Sequence, residues 1–283
     1  METQGLFRLS TIKLLLMGIR PLNIAIIICS IICTAIKLET KDPYQIVLAI
    51  LIVALIATIG NLINDIYDIE IDKINKPNRA LAKNPNLKVV FIYLIIFCTV
   101  TIAALFFTIN IESQIIVIIT LPLMFLYSFF LKGVPLLGNI FVAFYLAFVF
   151  CFTEILITGK LDLMILPSCF AFGISLIREI VKDAEDIKGD SYANLKTVPV
   201  LIGLNLSVYF ISVTIIGFIV FCSTTFFTNS LFYYEMSMIF LVFMPLFYLI
   251  FFLIKKPSRE ALKQASLLLK KITIVGLLII YMV

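Results

Sequence analysis

Residues 46–72 read IVLAILIVALIATIGNLINDIYDIEID, an apolar run that passes without a linker into Asn61, Asn64, Asp65, Asp68 and Asp72. A hydrocarbon core of about 30 Å is crossed by roughly 20 such residues. Lipid offers the backbone no hydrogen-bond partners, so the run is expected to be helical. Its acids then sit where the helix leaves the membrane.

The rest of the chain repeats this pattern. Of 283 residues, 62% are hydrophobic and 14% charged, against roughly 45–50% and about 25% in an ordinary soluble domain. Apolar runs centred near residues 26, 55, 98, 121, 146, 172, 215, 244 and 275 predict nine spans in an all-α, polytopic membrane protein. They leave no room for a soluble domain, so residues 1–283 read as one membrane-embedded domain. The first run, Leu14 to Ile36, has the length of a span and contains Arg20 and Pro21, unlike a cleaved signal peptide. Ahead of it, Gly5 to Arg20 spaces apolar residues at helical intervals and reads as an interfacial segment.

With a cytoplasmic N-terminus, 19 of the 22 Lys and Arg residues fall on the cytoplasmic side; Lys37, Lys41 and Lys160 are the exceptions. This bias predicts an inside N-terminus and an outside C-terminus. It also accounts for the net charge of +5 without a nucleic-acid partner. The six cysteines lie inside apolar runs with no ligand spacing and read as packing residues. There is no histidine, which excludes imidazole triads and histidine-ligated metals. Acid, base or metal chemistry therefore has to come from carboxylates, Lys, Tyr or water.

At the end of span 6, Asp183, Asp186 and Asp190 repeat the D-x-x-D-x-x-x-D spacing of Asp65, Asp68 and Asp72. On a continuous helix Asn61, Asp65, Asp68 and Asp72 would line one stripe about 16 Å long. With Glu70 and Glu185 the two clusters hold eight of the 17 acidic residues. One such cluster reads as a solvated polar loop; two with the same spacing at the same membrane face read as a site, most simply a single pocket. Stacked like charges repel, and a hard divalent ion removes the objection. Oxygen-only ligands suit Mg²⁺, which takes one or two carboxylates and completes its shell with water and phosphate. The ligand implied is a diphosphate. Lys76, Arg79, Lys132, Arg178, Lys182 and Lys196 are candidate partners for its oxygens, although Lys76, Arg79 and Lys196 also suit the topology signal. Arg20, Asn23 and Arg178 are costly to place at a membrane boundary and read as functional. Tyr127 suits either the site or an interfacial aromatic belt.

These residues resemble the UbiA superfamily of intramembrane prenyltransferases over essentially the whole chain. The first motif stands as Asn61-x-x-Asn64-Asp65-x-x-Asp68-x-x-x-Asp72-x-x-x-Lys76-Pro77-x-Arg79. The second stands as Arg178-Glu179-x-x-Lys182-Asp183-x-x-Asp186-x-x-Gly189-Asp190, followed by Lys196-Thr197-x-Pro199. Between them, Tyr127-Ser128 through Lys132, Pro135, Gly138 and Asn139 is similar to the family's middle signature. The resemblance implies nine helices around a central cavity with a lipid-side opening, and Mg²⁺ on Asn64, Asp65, Asp68, Asp72, Asp183, Asp186 and Asp190. Of these, Asp68, Asp72, Asp186 and Asp190 are expected to be catalytic together with Lys132. Arg20, Asn23, Asn61, Asn64, Lys76, Arg79, Tyr127, Arg178, Lys182 and Lys196 are expected to bind substrate.

The reaction implied is transfer of a prenyl group, expected to be geranylgeranyl, from a prenyl diphosphate to a lipid-soluble acceptor. Geranylgeranylglyceryl phosphate is the expected acceptor, and quinone, tocopherol or chlorophyll precursors are the alternative. No obligate protein partner is implied. The chain departs from the family wording at Ala80 (usually proline), after Ala82 and at Asn194 (commonly glycine). Two rivals fit less well. A phosphatidyl-type transferase would need one compact acidic motif with an internal Asp-Gly and a following Ala-Arg. A divalent-cation transporter would place its acids near midspan.

Overall fold

The computed structural model describes residues 19–83, 86–226 and 232–281, and among them every regular element is helical. Of the expected interfacial segment Gly5–Arg20, residues 5–18 lie outside the described residues. Two compact units emerge. One holds the described residues up to Leu131 together with Val149–Leu163; the other holds Lys132–Phe148 and the described residues from Met164 onward.

The first unit contains α1 (Pro21–Lys37), α2 (Pro43–Tyr67), the short α3 (Ile69–Asn75) and α4 (Ala80–Lys83), α5 (Leu87–Leu105) and α6 (Ile111–Leu126). A π-helical turn, Tyr127–Leu131, ends it. Asp42 starts α2 by accepting from the Tyr44 amide at 3.0 Å, and Pro43 occupies the first turn, where its missing N–H costs nothing. Ile59, Leu62 and Ile63 of α2 form a buried cluster with Leu81, Val90 and Leu94. That packing anchors the end of α2 which carries the first acids.

Helix α7 (Leu137–Thr158) contributes to both units. The second unit continues with α8 (Ile165–Tyr192), α9 (Val198–Phe226), α10 (Phe232–Met238), a π-helical turn (Ile239–Phe243), α11 (Met244–Lys255) and α12 (Arg259–Tyr281). Helix α8 packs against both α9 and α12. Small residues allow the close approach: a Cβ on Gly173 would collide with Phe218 of α9, and one on Gly276 of α12 would collide with Phe170.

A helix lies at each of the nine expected centres, but among the described residues six stretches are long and apolar enough to cross a membrane: Pro43–Tyr67, Leu87–Leu105, Ile111–Leu131, Leu137–Thr158, Val198–Thr225 and Phe232–Lys255. Helix α1 is apolar but has 17 described residues. Helices α8 and α12 are long enough, yet the charges from Arg178 to Asp190 and from Arg259 to Lys271 interrupt their apolar length. The large side chains on the surface, among them Ile95, Ile118, Val213 and Phe251, are those of an integral membrane protein whose outer face meets lipid.

Candidate active site in two acidic clusters

Helix α2 ends at Asp68, whose φ and ψ of −86° and 3° are those of the bridge region. Backbone bonds of the i to i−4 type persist on both sides of it, from Asp68 N to Asn64 O at 2.9 Å and from Asp72 N to Asp68 O at 2.7 Å. The expected straight stripe is therefore broken at its middle acid, because α3 restarts as a separate short helix. Glu70 leaves the cluster: it is exposed and pairs with Lys73 at 2.6 Å.

Asp65 and Asp72 are drawn together by arginine. Asp65 Oδ1 accepts from Arg20 Nη2 at 2.6 Å and from Arg79 Nη1 at 3.1 Å, while Arg79 Nη1 also donates to Asp72 Oδ2 at 2.6 Å. Asp72 is only 3% exposed. Burial pushes its carboxyl above the ordinary carboxylate range, and the Arg79 charge and hydrogen bond oppose that rise. Arg20 has φ 53° immediately before Pro21, a left-handed conformation that a bulky residue ahead of proline adopts at a cost. Its ion pair with Asp65 holds it there. Asn61, Asp68 and Lys76 are half-buried on the same stretch, and Asn23 bonds through its amide to Arg20 O at 2.8 Å.

The π-helical turn sits against the end of α2. Ser128, 7% exposed, donates its hydroxyl to Asn64 Oδ1 at 2.9 Å, and Phe129 meets the Tyr67 ring edge-on at 4.4 Å. π-turns interrupt α-helices frequently at functional positions. Tyr127 opens this turn, half-buried.

The second cluster stays on one helix. Glu179, Asp183, Asp186 and Asp190 follow one another at i, i+4, i+7 and i+11 along α8, so they share a face. Asp183 Oδ2 accepts from Asn139 Nδ2 at 2.7 Å. Glu179 accepts from Arg178 Nη1 at 3.2 Å and from Lys182 Nζ at 2.6 Å. After Asp190 the helix closes in a Schellman motif: Leu195 N donates to Asp190 O at 2.9 Å and Asn194 N to Ser191 O at 3.1 Å. Asn194, where the family wording favours glycine, has φ 56°, and asparagine is the side chain that best tolerates this left-handed position. The same turn brings Lys196 N to Gly133 O at 3.2 Å, which sets Lys196 beside the chain segment carrying Lys132.

Arg79, expected on phosphate oxygens, and Arg20, expected to bind substrate, thus both donate to carboxylates here. Sequence reasoning assigned no role to Ser128, Asn139 or Glu179. Small polar residues between apolar runs were the available signal, since buried polar groups need partners. Among the described residues no three acids converge on a common metal position. The donor set still fits a hard ion that takes few carboxylates: it is oxygen-only, and Asp186 Oδ1 is a buried oxygen that accepts no hydrogen bond.

Lipid-facing helices bearing acid clusters of matching spacing, each set among arginine and lysine, suit an intramembrane protein that handles an anionic headgroup. Comparison with known proteins narrows the class: the chain belongs to the UbiA prenyltransferase family, whose pattern matches residues 25–272, and it is an enzyme of the prenyltransferase type. It is 32% identical over 270 residues to a digeranylgeranylglyceryl phosphate synthase of Methanosphaera stadtmanae, covering 93% of this chain and 94% of that one. A Methanococcus maripaludis protein of the same name is 32% identical over 237 residues, 81% of this chain and 82% of its own length. A solved structure from work on digeranylgeranylglyceryl phosphate synthase in membranes is similar with a TM-score of 0.69 and 28% identity, over 96% of this chain and 97% of that one. A UbiA homologue from Archaeoglobus fulgidus, bound to GPP and Mg²⁺, shares the fold with a TM-score of 0.63 at 16% identity, over 94% of this chain and 99% of that one.

Proposed function

We propose that this chain transfers a geranylgeranyl group from geranylgeranyl diphosphate to geranylgeranylglyceryl phosphate. The observation that carries the reading is the likeness, over 93% of the chain, to a digeranylgeranylglyceryl phosphate synthase. In the reaction the allylic carbon–oxygen bond to diphosphate breaks, the acceptor hydroxyl oxygen bonds to that carbon, and the hydroxyl proton passes to the released diphosphate.

In this reading Asn64, Asp65, Asp68 and Asp72 in one unit and Asp183, Asp186 and Asp190 in the other are the Mg²⁺ ligands. Mg²⁺ bound at these carboxylates would neutralise charge that builds on the departing diphosphate. Ser128 and Asn139 orient Asn64 and Asp183 through the hydrogen bonds described above. Arg79 offsets the charge of Asp65 and Asp72 through its hydrogen bonds to both. Arg20, Asn23, Asn61, Lys76, Tyr127, Arg178, Lys182 and Lys196 bind substrate, and Lys132 offsets charge on the leaving group. The apolar helices exclude water from the allylic centre. The whole chain, 1–283, acts as one domain of nine spans, with the N-terminus and both acid clusters cytoplasmic and the C-terminus opposite. Its partners are a prenyl diphosphate, a lipid-soluble acceptor and the bilayer, with no obligate protein partner implied.

Purified protein incubated with Mg²⁺ and geranylgeranyl diphosphate against glycerophosphate and aromatic acceptors is expected to yield the digeranylgeranyl ether by mass spectrometry. A prenylated aromatic product alone overturns the choice of acceptor. No released diphosphate with any acceptor overturns the reaction.

A further inference from the structure

Glu179 lies four residues ahead of Asp183, the place that Asn61 holds ahead of Asp65. By position on the acidic face it reads as one more metal ligand. Its chemistry in the fold is different. The residue is 7% exposed, and each carboxylate oxygen is occupied by a cation: Oε1 by Arg178 Nη1 at 3.2 Å and Oε2 by Lys182 Nζ at 2.6 Å. A second observation concerns Arg178, whose Nε is buried and has no hydrogen-bond acceptor. A buried guanidinium N–H without an acceptor is costly, and the group that satisfies it best is an anionic oxygen.

Arg178 and Lys182 stand at i and i+4, where like charges repel. Both are long side chains whose rotamer freedom would be lost on gripping a ligand. An acid between them cancels part of the repulsion and fixes both heads before the ligand arrives.

We propose that Glu179 is a positioning residue that ties Arg178 and Lys182 into a preformed two-cation fork for the diphosphate of the prenyl donor. The proposal rests on the reading of those two cations as diphosphate ligands. Glu179 itself touches neither metal nor substrate in this scheme, so its loss weakens donor binding and leaves the chemical step largely intact.

The test uses the full chain in lipid nanodiscs with geranylgeranyl S-thiolodiphosphate, a donor analogue that resists transfer, and Mg²⁺. Glu179→Gln is expected to weaken binding of the analogue about 10-fold, the usual scale for losing a partner behind a ligating group. With the true donor, the loss is expected in KM rather than in kcat. In a background carrying Arg178→Gln and Lys182→Gln, the same change should cost nothing further. Wild-type affinity in E179Q, while the Arg178/Lys182 double variant binds weakly, overturns the positioning role alone. An equal loss in both backgrounds marks a residue that only supports the fold and overturns it as well. Wild-type affinity in the double variant removes the diphosphate reading of the two cations and the proposal with it. Should E179Q fail to fold, Glu179→Asp is carried through the same cycle.

Discussion

Asp65, Asp68 and Asp72 repeat the spacing of Asp183, Asp186 and Asp190, yet the first trio straddles a helix break at Asp68 and the second rides one helix from Ile165 to Tyr192. The first is held by cations delivered from other parts of the chain: Arg20 lies 45 residues before Asp65, and Arg79 reaches back 14. In the second, Arg178 and Lys182 bond to Glu179 within a single turn and Asn139 secures Asp183. Equal spacing in sequence therefore produced two different mechanical supports. One cluster depends on ion pairs from distant arginines around a helix break, the other on a neutral hydrogen bond from Asn139, 44 residues away, beside ion pairs made within one turn of its own helix.

Function and support separate under mutation. Neutralising either trio at its middle acid, Asp68→Asn or Asp186→Asn, is expected to lower product formation by about 10³-fold, while thermal unfolding shows the protein still folded. Full activity in either variant would mean that the two clusters do not act on one reaction. The supports should then differ in size. Arg79→Gln strands the buried Asp72 and is expected to cost about 3 kcal/mol of stability without metal, with much of the loss recovered when Mg²⁺ is added. Asn139→Ala removes one hydrogen bond to a carboxylate, and is expected to cost about 2 kcal/mol. If the Asn139 change proves the more damaging of the two in thermal unfolding, the distinction between ion-paired and neutrally hydrogen-bonded support fails. Asn194 gives the smallest effect. Asn194→Gly should leave stability within about 1 kcal/mol of wild type, whereas Asn194→Val, branched at a left-handed position, should lower it by about 1–2 kcal/mol.

The fold class was legible because apolar length leaves the backbone no alternative to helix, and a helix does lie at every expected centre. The number of spans was less so. Helix α8 is one continuous element whose charged half and apolar half average to a composition that hydropathy cannot divide. In the candidate site the acids were visible through their repeated spacing. Their partners were not: nothing in local sequence says that Arg20 meets Asp65 or that Ser128 meets Asn64, since those contacts come from helices packing far apart along the chain.

Sequence alone thus set the solvent of this protein, its helical class, its oxygen-only chemistry and its family wording, because each of these depends on residue type and short-range spacing. Tertiary structure decided which carboxylates are closed by arginine, where the first acidic helix breaks, and that both carboxylate oxygens of Glu179 are bonded to cations. Those outcomes depend on which side chains long-range packing brings within about 3 Å of one another, and spacing along a chain does not encode that distance.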